Sequence, residues 1–177
     1  MNKNNNKFEE EDYNSNDGMI TFIWGPPLWH VLHTISFNYP VNPTRKNKID
    51  HYKFIKNLKN ILPCKSCRDN LKKNFKMLPL TDDVFKNRKS FSKYIYDLHE
   101  LINKMLNKKS YLTYENVRDR YEIFRSRCID NKNIQNETGC VEPLYKGEKS
   151  KCVLNIIPRS KMISSFNIDK KCLIEKI

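Results

Sequence analysis

Apolar side chains recur at intervals of three and four residues along the segment of about residues 88–107. The members of this stripe are Phe91, Tyr94, Ile95, Leu98, Ile102, Met105 and Leu106. That spacing places them on one face of an α-helix, which becomes stable when the face is buried against other elements. The chain has only 4 glycines and no clear β-type alternation, so the sequence predicts an all-α fold around this helix.

Further helices are predicted on both sides of this stripe. The first opens with Trp24-Gly25-Pro26-Pro27, because proline is well tolerated in a first helical turn, and it runs to about Asn38. The second ends at Pro63, the third begins at a pair of cysteines, and a short fifth follows the stripe. Their predicted ranges are 44–62, 64–75 and 113–127.

The predicted organisation is one helical domain with two flanking segments. Residues 1–18 are rich in Asn and acidic side chains and are predicted as a disordered polar leader. Residues 19–127 are predicted as a four-helix bundle with the short fifth helix. Residues 128–177 are predicted as a loop-rich tail with four cysteines, in which the apolar run Val153–Ile157 is interpreted as a strand or a docking segment.

The chain is strongly basic, with a formal net charge of +13, but its lysines are scattered and acidic residues accompany them. This distribution is typical of a solvated surface, so nucleic acid is not expected as the primary partner. No apolar run approaches the ~20 residues that a membrane span needs, and the first residues lack the apolar region of a signal peptide. Six cysteines without an export signal favour a protein that itself handles thiols.

The cysteine pair Cys64-Lys65-Ser66-Cys67 has the spacing of a reactive site. On a helix, side chains three residues apart share a face at about 5–6 Å, which is within reach of a disulfide. Pro63 places the pair at a helix N-terminus, where the dipole and free N–H groups lower the pKa of a thiol. Lys65 and Arg68 add positive charge.

The motif alone leaves zinc binding, a structural disulfide and redox cycling open. A zinc site would need a second tight pair of ligands, and the other cysteines stand far apart in the sequence. His30 and His33 are close together, but they belong to the predicted first helix. A thioredoxin-like site expects a strand before the motif, whereas helices flank it here. Redox chemistry is therefore favoured, and no metal site is predicted.

Two helix faces carry groups that suit a planar ligand. Trp29 and His33 share a face of the first helix, and His99 and Asn103 share a face of the fourth. Each residue alone is more simply explained as a core or surface side chain. Together these faces present aromatic rings for stacking and polar edges. Near the helix ends, Tyr39 adds a further aromatic ring and Lys108 adds a cation. This inventory indicates a heteroaromatic ligand that carries phosphates.

These motifs together resemble the Erv/ALR family of FAD-linked sulfhydryl oxidases. The stretches WGPPLWHVLHTISFNYP, PCKSC and HELINKMLNK match the family in order and spacing over about residues 20–127. The form with WGPPLW and a long cysteine-bearing tail is most similar to members from large cytoplasmic DNA viruses. The resemblance implies a four-helix bundle that holds FAD at one end, a short fifth helix that caps it, and a homodimer.

The resemblance also implies roles for individual residues. Cys64 and Cys67 would be the redox pair, with Cys67 against the isoalloxazine, while His99 and Asn103 would contact the adenine half. The full set of implied FAD contacts is Gly25, Trp29, His33, Tyr39, Cys67, His99, Asn103 and Lys108. The positions that depart from the family pattern are Pro26 in place of Arg, Glu100 in place of Asn and Lys109 in place of Pro.

The activity implied by the resemblance is oxidation of protein dithiols, with electrons passing through Cys64–Cys67 to FAD and then to O₂, which yields H₂O₂. A thioredoxin-like carrier is one candidate substrate. The viral character implies the host cytoplasm, at the viral factory, or the virion as the location. Two alternatives from other classes are a zinc-binding module and a catalytically degenerate helical interaction module.

The tail cysteines are expected to form two functional groups. Cys128 and Cys140 flank a short polar loop, and a bridge between them would anchor the tail as a structural disulfide. Family members usually pass electrons through a second, mobile cysteine pair, so the resemblance implies a shuttle role for Cys152 and Cys172. A second structural bridge or free thiols are the alternatives for these two residues.

Overall fold

The computed structural model of the chain describes residues 9–129, 139–144 and 149–172. Its α-helices are α1 (Glu10–Tyr13), α2 (Thr21–Phe37), α3 (Arg45–Ile61), α4 (Lys65–Met77), α5 (Arg88–Met105) and α6 (Tyr114–Glu122). Its other elements are two 3₁₀ turns, Asp82–Phe85 and Lys170–Cys172, and two strands, β1 (Ser126–Ile129) and β2 (Gly139–Pro143). The predicted all-α bundle with a short further helix is confirmed. No helix within these residues is both long and apolar enough to cross a membrane.

The core lies where α2 packs on α5 and α3 packs on α4. The buried side chains of this core are Leu32, Tyr39, Ile55, Leu58, Leu71, Val84, Phe85, Phe91, Tyr94, Ile95 and Leu98. A smaller cluster of Phe37, Tyr114 and Val117 holds α6 against α2 and α5. The apolar stripe of α5 therefore faces the core, as the three-and-four spacing predicts.

The helix ends follow local capping chemistry. Thr44 caps α3 and Thr113 caps α6, and in each case the hydroxyl accepts from the N–H three residues later. Asn87 caps α5 in the same way through its side-chain oxygen. Such caps satisfy N–H groups that have no partner inside the helix. The predicted starts of these helices are confirmed to within a residue or two.

The predicted start of the first helix is wrong by about one turn. Helix α2 begins at Thr21, so Pro26 and Pro27 lie inside it. Each proline removes a helical hydrogen bond to the carbonyl four residues before it. Those carbonyls belong to Phe22 and Ile23, whose side chains are exposed. Water can reach this turn of the helix, which explains why the prolines are tolerated there.

The end of the predicted fifth helix is also wrong. Helix α6 ends at Glu122, and residues 126–129 instead pair antiparallel with residues 139–143. The guanidinium of Arg125 binds Glu122 and donates to the backbone oxygen of Phe37 at 2.9 Å, which holds the chain against α2 at the end of the helix. Sequence periodicity did not show this hairpin, because its strands are only 4 and 5 residues long.

The two flanking segments carry little packed structure. The single turn of α1 has no buried residue, and residues 1–8 of the predicted leader lie outside the described part of the chain. The run Val153–Ile157 forms no strand, and its apolar side chains are exposed. The domain boundaries at residues 18 and 127 remain predictions.

Candidate active site

The C-x-x-C motif lies at the N-terminus of α4, which confirms the predicted position. Cys64 is the N-cap of the helix, and its Sγ accepts from the N–H of Cys67 at 3.3 Å. The two cysteines are disulfide-bonded, with their Cα atoms 5.2 Å apart. Ser66 Oγ lies 3.2 Å from Cys64 Sγ. In the reduced pair, this N–H, this hydroxyl and the helix dipole all stabilise a thiolate at Cys64.

The residues just before α2 cross this motif. Met19 N–H donates to Pro63 O at 2.8 Å, and the indole Nε1 of Trp24 donates to Met19 O at 3.0 Å. This close approach requires glycine at position 18. A Cβ atom there would lie 2.6 Å from Pro63 O and 3.3 Å from Cys64 Cα. We call Gly18 and Met19 the strap. It ties the start of α2 to the backbone that positions Cys64.

A cavity of about 790 Å³ opens beside the disulfide, between α2, α4 and α5. Its size falls within the range of about 300–1,000 Å³ that is typical of small-molecule and cofactor sites. The predicted site residues that line it are Gly25, Trp29, His33, Cys64, Cys67, His99, Asn103 and Lys108. The fold therefore brings two of the predicted helix faces and the cysteine pair to one space. The role of each residue in binding remains a prediction.

The lining of the cavity includes a neutral histidine pair. His33 Nε2 lies 3.1 Å from His99 Nδ1, and the His99 ring stacks on Trp29 at 3.9 Å between centroids and 6° between planes. Burial lowers the pKa of His33 to about 3, and it lowers that of His99 to about 4. Both rings are therefore uncharged near neutral pH, and one nitrogen of the pair donates while the other accepts.

The end of α5 supplies the polar edge of the cavity. Asn103 Nδ2 donates to Glu100 Oε1 at 3.1 Å, and Lys108 N–H donates to Asn103 O at 2.9 Å. The Lys108 ammonium lies 5.3 Å from the ring centroid of Phe22. Glu100, which departs from the family pattern, thus engages the neighbouring amide directly. Lys108 adds positive charge to the lining of the cavity.

Tyr39 does not belong to the lining of this cavity, contrary to the expectation drawn from the resemblance. Its side chain is fully buried, and its hydroxyl donates to Phe85 O at 2.9 Å. Its ring meets those of His51 and Phe91 edge-on, at 4.7 and 5.0 Å. The chain turns after α2 and directs this ring into the core toward α3 and α5. Tyr39 is a core residue in this structure.

The cavity also contains residues that the sequence did not single out. Thr21 Oγ1 lies 3.8 Å from Cys67 Sγ, which makes it a hydrogen-bonding neighbour of the cysteine pair. Phe166 of the tail lies parallel to Tyr121 at 6.0 Å and meets His30 at 4.9 Å. Asn74 lines the cavity from α4. None of these positions has a local sequence signal, because the fold alone brings these segments to one cavity.

The donor set of the cavity fits the FAD that the resemblance implies. His33 Nδ1 and both polar atoms of Asn74 are buried without a hydrogen-bond partner among the described residues. Buried polar groups in native proteins are normally hydrogen-bonded, so these atoms favour a polar ligand. Trp29 offers an aromatic face and Lys108 a cation. Within the described ranges, no group of three or more His, Cys, Asp or Glu side chains could hold a metal ion.

The tail cysteines differ from the pair in α4. Cys152 is exposed and Cys172 is half-buried, and both are free thiols. Cys140 is disulfide-bonded, and β2 pairs with β1 so that Gly139 stands opposite Ile129. The side chain of Cys128 lies outside what the structure describes. The Cys128–Cys140 bridge and the shuttle role of Cys152 and Cys172 therefore remain predictions.

Sequence comparison finds similar proteins in viruses and eukaryotes. The Erv1/Alr family model matches residues 26–122, which is more than half of the chain. A probable FAD-linked sulfhydryl oxidase of Acanthamoeba polyphaga mimivirus is 36% identical over 91 residues, which cover 51% of this chain and 63% of that protein. An FAD-linked sulfhydryl oxidase of African swine fever virus is 32% identical over 96 residues, which cover 53% and 78%. The match spans less than two thirds of the mimivirus protein's length.

Solved structures with a similar arrangement of helices include two of yeast Erv1. A double cysteine-to-serine mutant of Erv1 from Saccharomyces cerevisiae matches with a TM-score of 0.53 and 21% identity, over 59% of this chain and 86% of that chain. The yeast Erv1 core matches with a TM-score of 0.53 and 19% identity, over 67% and 93%. At such identities the likeness shows that the helical fold is shared.

Proposed function

Because this chain belongs to the Erv1/Alr family, we propose that it is an FAD-dependent sulfhydryl oxidase that forms disulfides in protein substrates. The observation that carries the proposal is the position of the Cys64–Cys67 disulfide at the edge of the cavity. The same cavity holds the stacked Trp29 and the neutral histidine pair. A dithiol that reaches the motif can thus pass electrons through the Cys64–Cys67 pair to a ligand in the cavity.

The thiol exchange begins at Cys64. A substrate thiolate attacks Cys64 Sγ, the Cys64–Cys67 bond breaks, and its electron pair leaves on Cys67 as a thiolate. The second substrate thiolate then attacks the substrate sulfur of the mixed disulfide and releases Cys64 as a thiolate. The substrate leaves oxidised, and the enzyme pair holds the two electrons. The assignment of Cys64 as the attacked sulfur rests on the family resemblance.

Neighbouring groups stabilise both thiolates of this exchange. The Cys67 N–H and the Ser66 hydroxyl stand within hydrogen-bond reach of Cys64 Sγ. The Thr21 hydroxyl stands at 3.8 Å from Cys67 Sγ, where it can donate to the departing thiolate. Each such hydrogen bond stabilises the thiolate and so makes the sulfur a better leaving group.

The cofactor would be held by side chains from α2 and α5. Trp29 offers an aromatic face for stacking, and Lys108 offers a cation for phosphate. His33 and His99 are uncharged, and each offers one hydrogen-bond donor or acceptor. FAD bound there would supply the two-electron redox chemistry that links the cysteine pair to O₂, with H₂O₂ as the product. The walls of the cavity limit the access of water to Cys67, which is half-buried.

The partners and location of the enzyme follow from this proposal. Its substrates are protein dithiols, with a thioredoxin-like carrier as one candidate, and O₂ is the electron acceptor. The chain acts as a homodimer, as the family resemblance implies. The similarity to oxidases of mimivirus and African swine fever virus supports a site of action in the host cytoplasm or the virion.

Purified full-length protein tests the proposal directly. We expect a yellow protein with about one FAD per chain that consumes O₂ and forms H₂O₂ when dithiothreitol is added. Colourless protein with stoichiometric zinc would support the zinc-binding alternative. Yellow protein without thiol-dependent O₂ uptake would support the degenerate interaction module.

The variant His99→Ala tests the cavity as the FAD site. It removes one member of the histidine pair and the ring on Trp29, so polar ligand atoms would lose a partner, at a cost of about 1–3 kcal/mol. Equilibrium dialysis should therefore show FAD binding weakened by about 5- to 150-fold. His51→Ala is the matched control, because His51 lies outside the cavity and its Nδ1 contacts Asn47 O. Full flavin retention by His99→Ala would show that the face is assigned wrongly.

A further inference from the structure

Asn74 is a buried polar side chain that thiol exchange does not explain. It lies on α4 among the residues that line the cavity, and it is 1% exposed. Neither its Oδ1 nor its Nδ2 has a hydrogen-bond partner among the described residues. Burial of an amide without partners destabilises a fold. The cavity side of α4 therefore offers a donor and an acceptor that the described residues leave available for a polar ligand.

Ser92 shows that this fold satisfies a buried polar group where no ligand is involved. Ser92 is also 1% exposed, and it does not line the cavity. Its hydroxyl donates to Arg88 O at 2.8 Å and lies 2.8 Å from the Tyr114 hydroxyl. The unpartnered amide of Asn74 is thus a property of the cavity wall and not of the core in general.

The position of Asn74 relative to Cys67 indicates which part of a ligand it meets. The two residues are seven positions apart on α4, which is close to two full turns, so they share one helix face about 10 Å apart along the axis. Leu71 lies between them and also lines the cavity. A planar ring system that lies against Cys67 and extends along this face comes within reach of Asn74.

We propose that Asn74 binds the polar edge of the flavin ring by donating one hydrogen bond and accepting another. An asparagine amide presents a donor and an acceptor side by side. The pyrimidine part of the flavin ring presents an imide N–H flanked by carbonyl oxygens, which is the complementary pattern. Asn74 is thus a positioning residue that holds the ring in register with Cys67. This inference rests on the proposed function.

The test compares FAD affinity and the flavin spectrum in wild type and two variants. Asn74→Leu keeps the branched shape of the side chain and removes both polar atoms, and Asn74→Ser serves if the leucine variant does not fold. We expect FAD to bind about 10- to 100-fold more weakly, because one or two hydrogen bonds to buried polar atoms are lost. We also expect the flavin absorption bands to move in FAD-saturated protein, because a hydrogen bond to the ring itself is removed.

Ser92→Ala is the matched control, because it removes a buried hydroxyl that already has partners. We expect this variant to lower the unfolding temperature while FAD affinity and the flavin bands stay as in wild type. A lower unfolding temperature in the Asn74 variants with unchanged affinity and unchanged bands would mean that Asn74 has a structural role only, and it would overturn the proposal.

Three outcomes separate the proposal from its premise. Weaker FAD binding with unmoved flavin bands would place Asn74 at the adenine or phosphate part and would contradict contact with the ring. A wild-type protein that binds no FAD would refute the proposed function itself. If the wild type binds FAD and the Asn74 variants bind it equally well with the same absorption bands, only the role of Asn74 is refuted.

Discussion

The two cysteine-bearing regions of this protein are held in opposite ways. Around Cys64 and Cys67, a helix cap, the strap and the packing of α4 on α3 fix the backbone on several sides. In residues 149–172, Cys152 and Cys172 lie in irregular or single-turn structure, with free thiols and mostly exposed neighbours. Cysteine thus lies once in a segment that several contacts fix, where we propose electron transfer, and once where the chain has few contacts to restrict it.

The largest expected difference between the two regions is their effect on turnover. Cys67→Ser should abolish flavin reduction by dithiothreitol, because no thiolate then remains to pass electrons onward. Cys64→Ser should also be inactive but should leave a free thiolate at Cys67, seen as long-wavelength charge-transfer absorbance with the flavin. Stopped-flow absorbance measures both, with Cys152→Ser as the control that keeps dithiothreitol turnover. Charge-transfer absorbance in Cys67→Ser instead would reverse the two roles.

Acid should destabilise the bundle and not the tail, because all 4 histidines lie before residue 128. His33 and His99 have native pKa values lowered to about 3 and 4, while an unfolded histidine titrates near its ordinary value of about 6.5. Above pH 6.5 both states are neutral and the pair adds no pH dependence. As pH falls below 6.5, only the unfolded state gains these protons, so stability falls.

The expected loss between pH 6.5 and pH 5 is about 2 kcal/mol for each of the two histidines. Denaturant unfolding of the wild type at several pH values measures it. His33→Gln should remove about half of the pH dependence, whereas His51→Gln should leave most of it. Equal slopes in all three proteins would mean that the histidine pair does not carry the effect.

Loss of the strap contact should have a smaller effect on the Cys64–Cys67 segment than the cysteine substitutions have on turnover. Gly18→Ala would place a Cβ 2.6 Å from Pro63 O, so the backbone must move and the bond from Met19 N–H to Pro63 O is weakened or lost. We expect a loss of about 1–3 kcal/mol in the free energy of unfolding. The dithiothreitol reaction should also slow, because Cys64 follows Pro63 directly.

Met19→Ala is the control for the strap. The Met19 side chain is exposed, and the substitution leaves its backbone N–H in place. If both variants have wild-type stability and turnover, the strap does not position Cys64 and the contrast between the two cysteine regions is weaker than we infer.

The smallest expected effect is that of the tail thiols. Phe166 contacts Tyr121 and His30, and the six residues from it to Cys172 span at most about 20 Å. If Cys172 shuttles electrons, Cys172→Ser should slow oxidation of a protein dithiol a few-fold while dithiothreitol turnover stays nearly intact. Point substitution is preferable to truncation after Arg159, which would also remove Phe166. Equal loss on both substrates, or none on either, would exclude the shuttle.

Much of the bundle could be predicted because its signals are local. The stripe of α5, the caps at Thr44 and Thr113, and Pro63 before the cysteine pair each act within a turn or two of the residue that carries them. The predicted helix ends were wrong at two places. At the start of α2, a solvent-exposed turn tolerates two prolines, and after the end of α6 the Arg125 side chain binds the backbone of Phe37. In both cases the deciding contact, with water or with another helix, was not encoded in the local pattern.

Sequence alone determined that Cys64 and Cys67 share a helix N-terminus, because a three-residue spacing after a proline leaves few other arrangements. Only the tertiary structure decided that Tyr39 enters the core, that Gly18 must be small, and that Asn74 faces the cavity without a partner. These properties depend on segments that lie far away in the chain and meet only when helices pack. The physical reason is that hydrogen bonding and steric exclusion act over a few ångströms in space, irrespective of separation along the sequence.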